Sequence, residues 1–212
     1  HRNLNDIRKI ILSSSLEEKI KTRAIKMFTL IGEAEAKVHD TDLDSIHFHE
    51  VGAVDSIVDI VAAAACIEFF APEQVLSGPP ELGGGFVRCA HGLIPVPAPA
   101  TVEILVGVPT RSGAVDKETT TPTGAAILKT NVHSFTGGSA QRTFGEVYSI
   151  TRTGYGVGGR DLPIPNLLRV YLAEPSLASD SAETSPRMDN RADAVMLECN
   201  IDDMNPELYE HL

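Results

Sequence analysis

Over the first seventy residues apolar positions recur at three- and four-residue steps, the period of helices with one buried face. Residues 4–14 form one short helical pattern. Ser15 with Glu18 three residues on has the spacing of a capping box and starts a second helix. In it Ile20, Ala24, Met27, Phe28, Ile31 and Val38 share a face, with Lys, Arg and Glu opposite. A polar turn at 40–45 leads to the extended stretch around His47, and then a nearly all-apolar helix runs to about Phe70, ended by Pro72. Such uniform apolarity predicts burial on most sides.

Beyond Pro72 the pattern shifts to short β runs punctuated by glycine and proline, with strands predicted at 74–76, 86–90, 146–152 and 167–173. Two helices interrupt them, one over 99–106 and one over 122–132 with Thr121 as N-cap and Pro122 at the first helical position. Helices first and a mixture afterwards predict an α+β fold with a small sheet. The expected division is a main domain over 1–173, a linker rich in Ser, Ala, Asp and Pro over 174–193, and the truncated start of a second domain over 194–212.

A 212-residue chain with 42% apolar residues can hold a core without disulfides or metal staples. Its 29 acidic against 18 basic residues, a formal net charge of −11, exclude a protein whose affinity comes from neutralising nucleic-acid phosphates. Three scattered cysteines, Cys66, Cys89 and Cys199, without a CxxC fit a reducing compartment. The longest apolar run, 60–67, is far short of the roughly 20 residues a bilayer span needs, so no membrane role is expected. The opening at His1 and the close at Leu212 both read as cut, so the expectation is a fragment of a longer cytoplasmic protein.

The densest group of metal-competent side chains is His47, His49 and Glu50, followed by Asp55 and Asp59. Alternation in an extended segment turns both imidazoles to one side, and i, i+4 spacing puts both aspartates on one helix face. Carboxylates on a helix otherwise lined by Val, Ile and Ala are costly to bury without a cation or donors. Imidazole with carboxylate suits Ni, Zn, Fe or Mn. The alternative is surface histidines beside a solvated or capping pair of aspartates. Cys89-x-His91 is a plausible further half-site, or else a small buried thiol beside an ordinary histidine. Three glycine-bearing stretches are candidates for holding an anion: 83–85, the Thr119 to Gly124 segment opening a helix, and Gly154 to Arg160, which adds a guanidinium. None matches a P-loop or a dinucleotide fingerprint, and each is also what a tight turn requires. The prolines at 95, 97 and 99 predict a stiff connection into the next helix.

Four stretches together carry a family resemblance. They are His47-Phe-His-Glu-Val-Gly-Ala-Val-Asp-Ser-Ile-Val-Asp-Ile-Val61; 83–99 with its Val-Arg-Cys-Ala-His-Gly and Pro-Val-Pro-Ala-Pro core; Thr120-Thr-Pro-Thr-Gly-Ala-Ala126; and Asn200-Ile-Asp-Asp-Met-Asn-Pro-Glu207. In this order the chain resembles the LarC family of nickel insertion proteins, with Ala62 standing where a glycine is expected. The resemblance implies a cytoplasmic, CTP-dependent cyclometallase of the lyase class. Such an enzyme places nickel between two sulfur donors and a ring carbon of a pyridinium bisthiocarboxylate mononucleotide, making the nickel-pincer cofactor of a client racemase or epimerase. It also implies an upstream segment and a C-terminal domain associated with CTP and Mg or Mn, so that the fragment by itself is not expected to complete the reaction.

Taking the residues and the resemblance together, His47, His49 and His91 are expected to hold or pass nickel, with Cys89 and Asp59 as further metal candidates. Glu50 or Asp55 is a ligand or the base that removes the ring proton. Thr121, Thr123, Gly124 and Arg160 hold the nucleotide phosphate, and Asp202 and Asp203 ligate the cation that accompanies CTP or else cap a helix. Two other functions fit the same residues: a nickel chaperone or store without chemistry, and a metal-dependent phosphohydrolase. The expected partners are the mononucleotide and the client enzyme, with a homo-oligomer possible in principle.

Overall fold

The computed structural model describes residues 2–48, 53–89, 92–135 and 147–176, and its architecture is α+β. Five α-helices are described: α1 (Leu4–Ser13), α2 (Glu18–Val38), α3 (Val54–Phe70), α4 (Pro99–Ile104) and α5 (Pro122–Asn131). Helix α2 is the axis, and each of the others packs on it. The reason lies in its buried stripe of Ala24, Met27, Phe28 and Ile31, all without solvent exposure. Leu4, Ile7 and Ile11 of α1 close one side of this core. Small residues of the other helices, Ala64, Ala100, Ala125 and Ala126, let their backbones approach it closely.

A capping box does start a helix, but at α1, where Asn3 Oδ1 accepts from the Asp6 N–H at 2.8 Å and Asp6 Oδ2 accepts from the Asn3 N–H at 3.2 Å. The box expected from Ser15 and Glu18 does not form: α2 is capped at Glu17 without a side-chain bond. The serines serve the end of α1 instead, where the Ser14 hydroxyl donates to the Ile11 carbonyl at 2.6 Å.

Helix α3 corrects a second expectation. It buries only Ile60 and Ala64, whereas Val58 is 57% exposed and Phe69 82% exposed. Four of its apolar residues are alanines, 62–65, which raise mean hydropathy while adding little area that water must be kept from. Apolarity all round therefore did not force burial all round.

The strands form four two-stranded pairings among the described residues. β1 (Arg2–Asn3) runs antiparallel to β2 (His47–Phe48), and β3 (Leu76–Ser77) runs parallel to β6 (Ser134–Phe135). β4 (Phe86–Cys89) and β5 (Gly92–Pro95) make a hairpin, as do β7 (Val147–Val157) and β8 (Leu167–Ser176). β5 occupies the stretch expected to be a stiff connection. Pro95 is tolerated because it ends an outer strand, opposite Phe86, and the ladder continues with the Val96 N–H donating to the Gly85 carbonyl at 3.0 Å. β7 extends through Gly154 and Gly156, which were expected in an anion-holding loop; both lie in the ladder, and a Cβ added at either would meet nothing within 4 Å. The expected linker starts too early: Glu174 to Ser176 are the last residues of β8 and pair with 147–149, while the rest of it and the expected second-domain start lie outside the described residues.

One polar cluster ties three helices together. Arg23 of α2 donates through Nε to Glu68 Oε1 of α3 at 2.7 Å and through Nη1 to Asn131 Oδ1 of α5 at 2.8 Å. Arg23→Met leaves both acceptors without their donor and is expected to lower stability by about 1–3 kcal/mol. Urea unfolding checks this, and a loss no greater than that of an exposed-surface control would refute it.

Candidate functional site

The site is assembled around the N-terminus of α5. Thr121 caps that helix, its Oγ1 accepting from the Gly124 N–H at 3.3 Å and lying 2.9 Å from Thr123 Oγ1. The preceding threonines are structural: the Thr119 and Thr120 hydroxyls both donate to the Glu81 carbonyl. Beside them the Glu81 carboxylate accepts from the Gly83 N–H at 3.0 Å and the Ala114 N–H at 3.2 Å. Gly83 has φ +79, and a Cβ there would stand 1.7 Å from the Lys117 carbonyl oxygen. Gly85, at φ +75, lies less tightly against the Asp116 carbonyl, where an added Cβ would stand 3.2 Å from the oxygen. The glycine triplet is thus a seam of backbone on backbone that positions 116–121, rather than an anion cradle.

Four further segments converge on this helix end around a cavity of about 630 Å³. Arg160, in the turn after β7, reaches across so that its Nη1 donates to the Glu118 carbonyl at 3.4 Å, beside Thr121 and Thr123. The turn is held by the Gly158 N–H donating to the Asn166 carbonyl at 2.7 Å. Helix α3 presents Asp55, Ser56 and Asp59 to the same space. Both aspartates are exposed, and neither makes a hydrogen bond or ion pair among the described residues. The end of α2 adds Glu35 and His39, whose Oε2 and Nε2 are 3.4 Å apart. Val87 and Ile94, cross-strand partners in the β4–β5 hairpin, give an apolar wall, with Arg88 beside them.

Of the residues singled out in the sequence, Asp55, Asp59, Thr121, Thr123 and Arg160 line this one cavity although they span more than a hundred positions. Gly124 sits in the first turn of α5 with its N–H committed to the cap. His47 and Cys89 fall on β2 and β4, while His49, Glu50, His91, Asp202 and Asp203 lie outside the described residues. Among the described residues no three His, Cys, Asp or Glu side chains gather as a metal-holding group. Sequence reasoning missed Glu35, His39, Arg88 and Glu118. The i, i+4 spacing of Glu35 and His39 just before a polar turn was a signal for the first pair. The arrangement offers opposite polarities: carboxylates on α3 and α2, and hydroxyls, a guanidinium and a helix N-terminus opposite, suited to a ligand with a cationic part and an anionic part.

Among the described residues no helix is long and apolar enough to cross a membrane. No solved structure matches the chain. Curated proteins do. It is 52% identical over 211 residues to the pyridinium-3,5-bisthiocarboxylic acid mononucleotide nickel insertion protein of Clostridium kluyveri, covering 100% of this chain and 49% of that one. The protein of the same name from Clostridium acetobutylicum is 52% identical over 209 residues, covering 99% of this chain and 46% of that one. A putative nickel insertion protein of Maridesulfovibrio salexigens is 49% identical over 207 residues, covering 98% and 46%. The chain therefore spans about half the length of the curated relatives it matches. The family model described as nickel insertion protein matches residues 1–212, and the chain belongs to that family.

Proposed function

We propose that the cavity binds a pyridinium bisthiocarboxylate mononucleotide and presents its ring for nickel insertion. One observation carries this reading: a single space of about 630 Å³, within the roughly 300–1,000 Å³ of small-molecule sites, joins the Asp55 and Asp59 carboxylates to a hydroxyl-lined helix N-terminus with a guanidinium. Thr121, Thr123, Arg160 and the backbone at the start of α5 take the phosphate. Asp55 and Asp59 face the cationic ring and the incoming Ni²⁺. In the insertion a ring C–H bond is replaced by a carbon–nickel bond, the two sulfurs complete the grip, and the proton leaves to a carboxylate, Asp55 or Glu50. Nickel keeps its oxidation state and is a substrate of this step.

The same reading includes His47, His49, His91 and Cys89 as the donors that deliver nickel, because borderline metals favour imidazole and thiolate. It takes CTP with Mg or Mn as co-substrate, with Asp202 and Asp203 on the accompanying cation. It takes a racemase or epimerase as the client, and the cytoplasm as the place of action.

Calorimetry tests both ends of the cavity. Asp55→Asn combined with Asp59→Asn is expected to weaken nickel binding about tenfold or more, as are His47→Ala and His49→Ala. Arg160→Met is expected to weaken nicotinamide mononucleotide binding about tenfold. Wild-type affinities throughout would end the proposal.

A further inference from the structure

The cavity holds a second guanidinium, and its situation differs from that of Arg160. Arg88 is an exposed residue of β4, paired across the hairpin with Leu93, and lines the cavity together with Val87 and Ile94. It makes no hydrogen bond or ion pair among the described residues, although Glu35, Asp55, Asp59 and Glu118 line the same space. The carboxylates of the cavity thus leave it unclaimed. Arg160 differs in being tethered to the Glu118 carbonyl at the α5 end.

The ligand class supplies anions for both. A pyridinium bisthiocarboxylate mononucleotide carries a phosphate at one end and acid groups on the ring at the other. With the phosphate at Thr121, Thr123 and Arg160, the ring acids extend away from α5 toward the remaining walls. We infer that Arg88 is the residue that recognises a ring acid group of the substrate, pairing its planar fork with one thiocarboxylate, so that anchoring at two ends fixes the ring over the α3 carboxylates. This rests on the reading of the cavity as a mononucleotide site. It adds a specificity: ring-acid mononucleotides are accepted in preference to ring amides of the same size and phosphate charge.

Two probes isolate the ring acid. Nicotinic acid mononucleotide and nicotinamide mononucleotide share the pyridinium, ribose and phosphate and differ only in carboxylate against carboxamide. In calorimetry the wild-type protein is expected to prefer the acid about tenfold. Arg88→Met should abolish that preference while leaving nicotinamide mononucleotide affinity unchanged, and Arg88→Lys should keep part of it, since charge remains but the fork is lost. Arg160→Met should lower both affinities together. A preference that survives Arg88→Met, its absence from the wild type, or an equal fall for both ligands in Arg88→Met would overturn the inference and leave the mononucleotide reading standing. Failure of both probes to bind the wild type would overturn the two together.

Discussion

Gly83→Ala is expected to cost about 3 kcal/mol or more of stability and to remove mononucleotide binding. Two terms add. A non-glycine residue at φ +79 carries backbone strain of about 1–3 kcal/mol. The new methyl would also stand 1.7 Å from the Lys117 carbonyl oxygen, so one of two backbone segments must move, and overpacking of that kind costs a further ~1–3 kcal/mol. The movement cannot stay local. The Gly113 N–H donates to the Gly83 carbonyl at 3.0 Å, and the Thr119 and Thr120 hydroxyls hold the Glu81 carbonyl two residues away. Displacing 117 therefore drags Thr121 and Thr123, the hydroxyls at the phosphate end. Gly107→Ala is the control, because Gly107 has φ +81 with nothing within 4 Å of the added carbon. It should show the strain alone. Urea unfolding and nicotinamide mononucleotide titration measure the two effects, and equal stability losses at the two glycines would count against the seam.

Phe28→Ala is expected to lower stability by about 3–5 kcal/mol, the usual range for a fully buried aromatic. Phe28 has no solvent exposure and lies on the helix against which every other described helix packs, so the vacated volume faces several elements at once and none can close it alone. Phe69→Ala makes the comparison. That ring is 82% exposed and touches Phe70 edge to face at 5.1 Å between centroids, so its loss should change stability by no more than about 0.5 kcal/mol. Denaturant midpoints for the pair decide the matter; similar losses would mean that α2 is not the axis of the core.

These two phenylalanines also mark where the pattern of the chain stops being informative. Phe28 sits in a stripe with charged residues opposite, and that contrast pointed to its burial. Phe69 sits in a helix without such contrast, and there periodicity is silent: four alanines made α3 look like a core helix while much of its surface stays in water. The spacing of Ser15 and Glu18 pointed to a cap on α2 that does not form, while the neighbouring Ser14 closes α1 by a bond within its own last turn. The Gly154 to Arg160 segment has the composition of a turn, yet most of it pairs with β8, because cross-strand partners can hold glycines in a ladder that local preference disfavours.

For the site, local chemistry went a long way. The threonine cap of α5, the paired aspartates of α3 and the guanidinium at 160 were each legible, since each depends on spacing within one segment. Membership of the nickel insertion family was legible from four motifs in order, for the same reason. Their convergence on one cavity was not, because it depends on the β7–β8 hairpin carrying Arg160 back to α5 and on the glycine seam setting the height of 116–121. Arg88 and Glu118 entered only through that convergence, whereas the spacing of Glu35 and His39 lay open along the chain. Short-range order, helix ends and the kinds of chemistry available follow from neighbours along the chain. Which of those groups face each other is settled by packing between distant segments, where burial and steric fit outweigh any preference of a single residue.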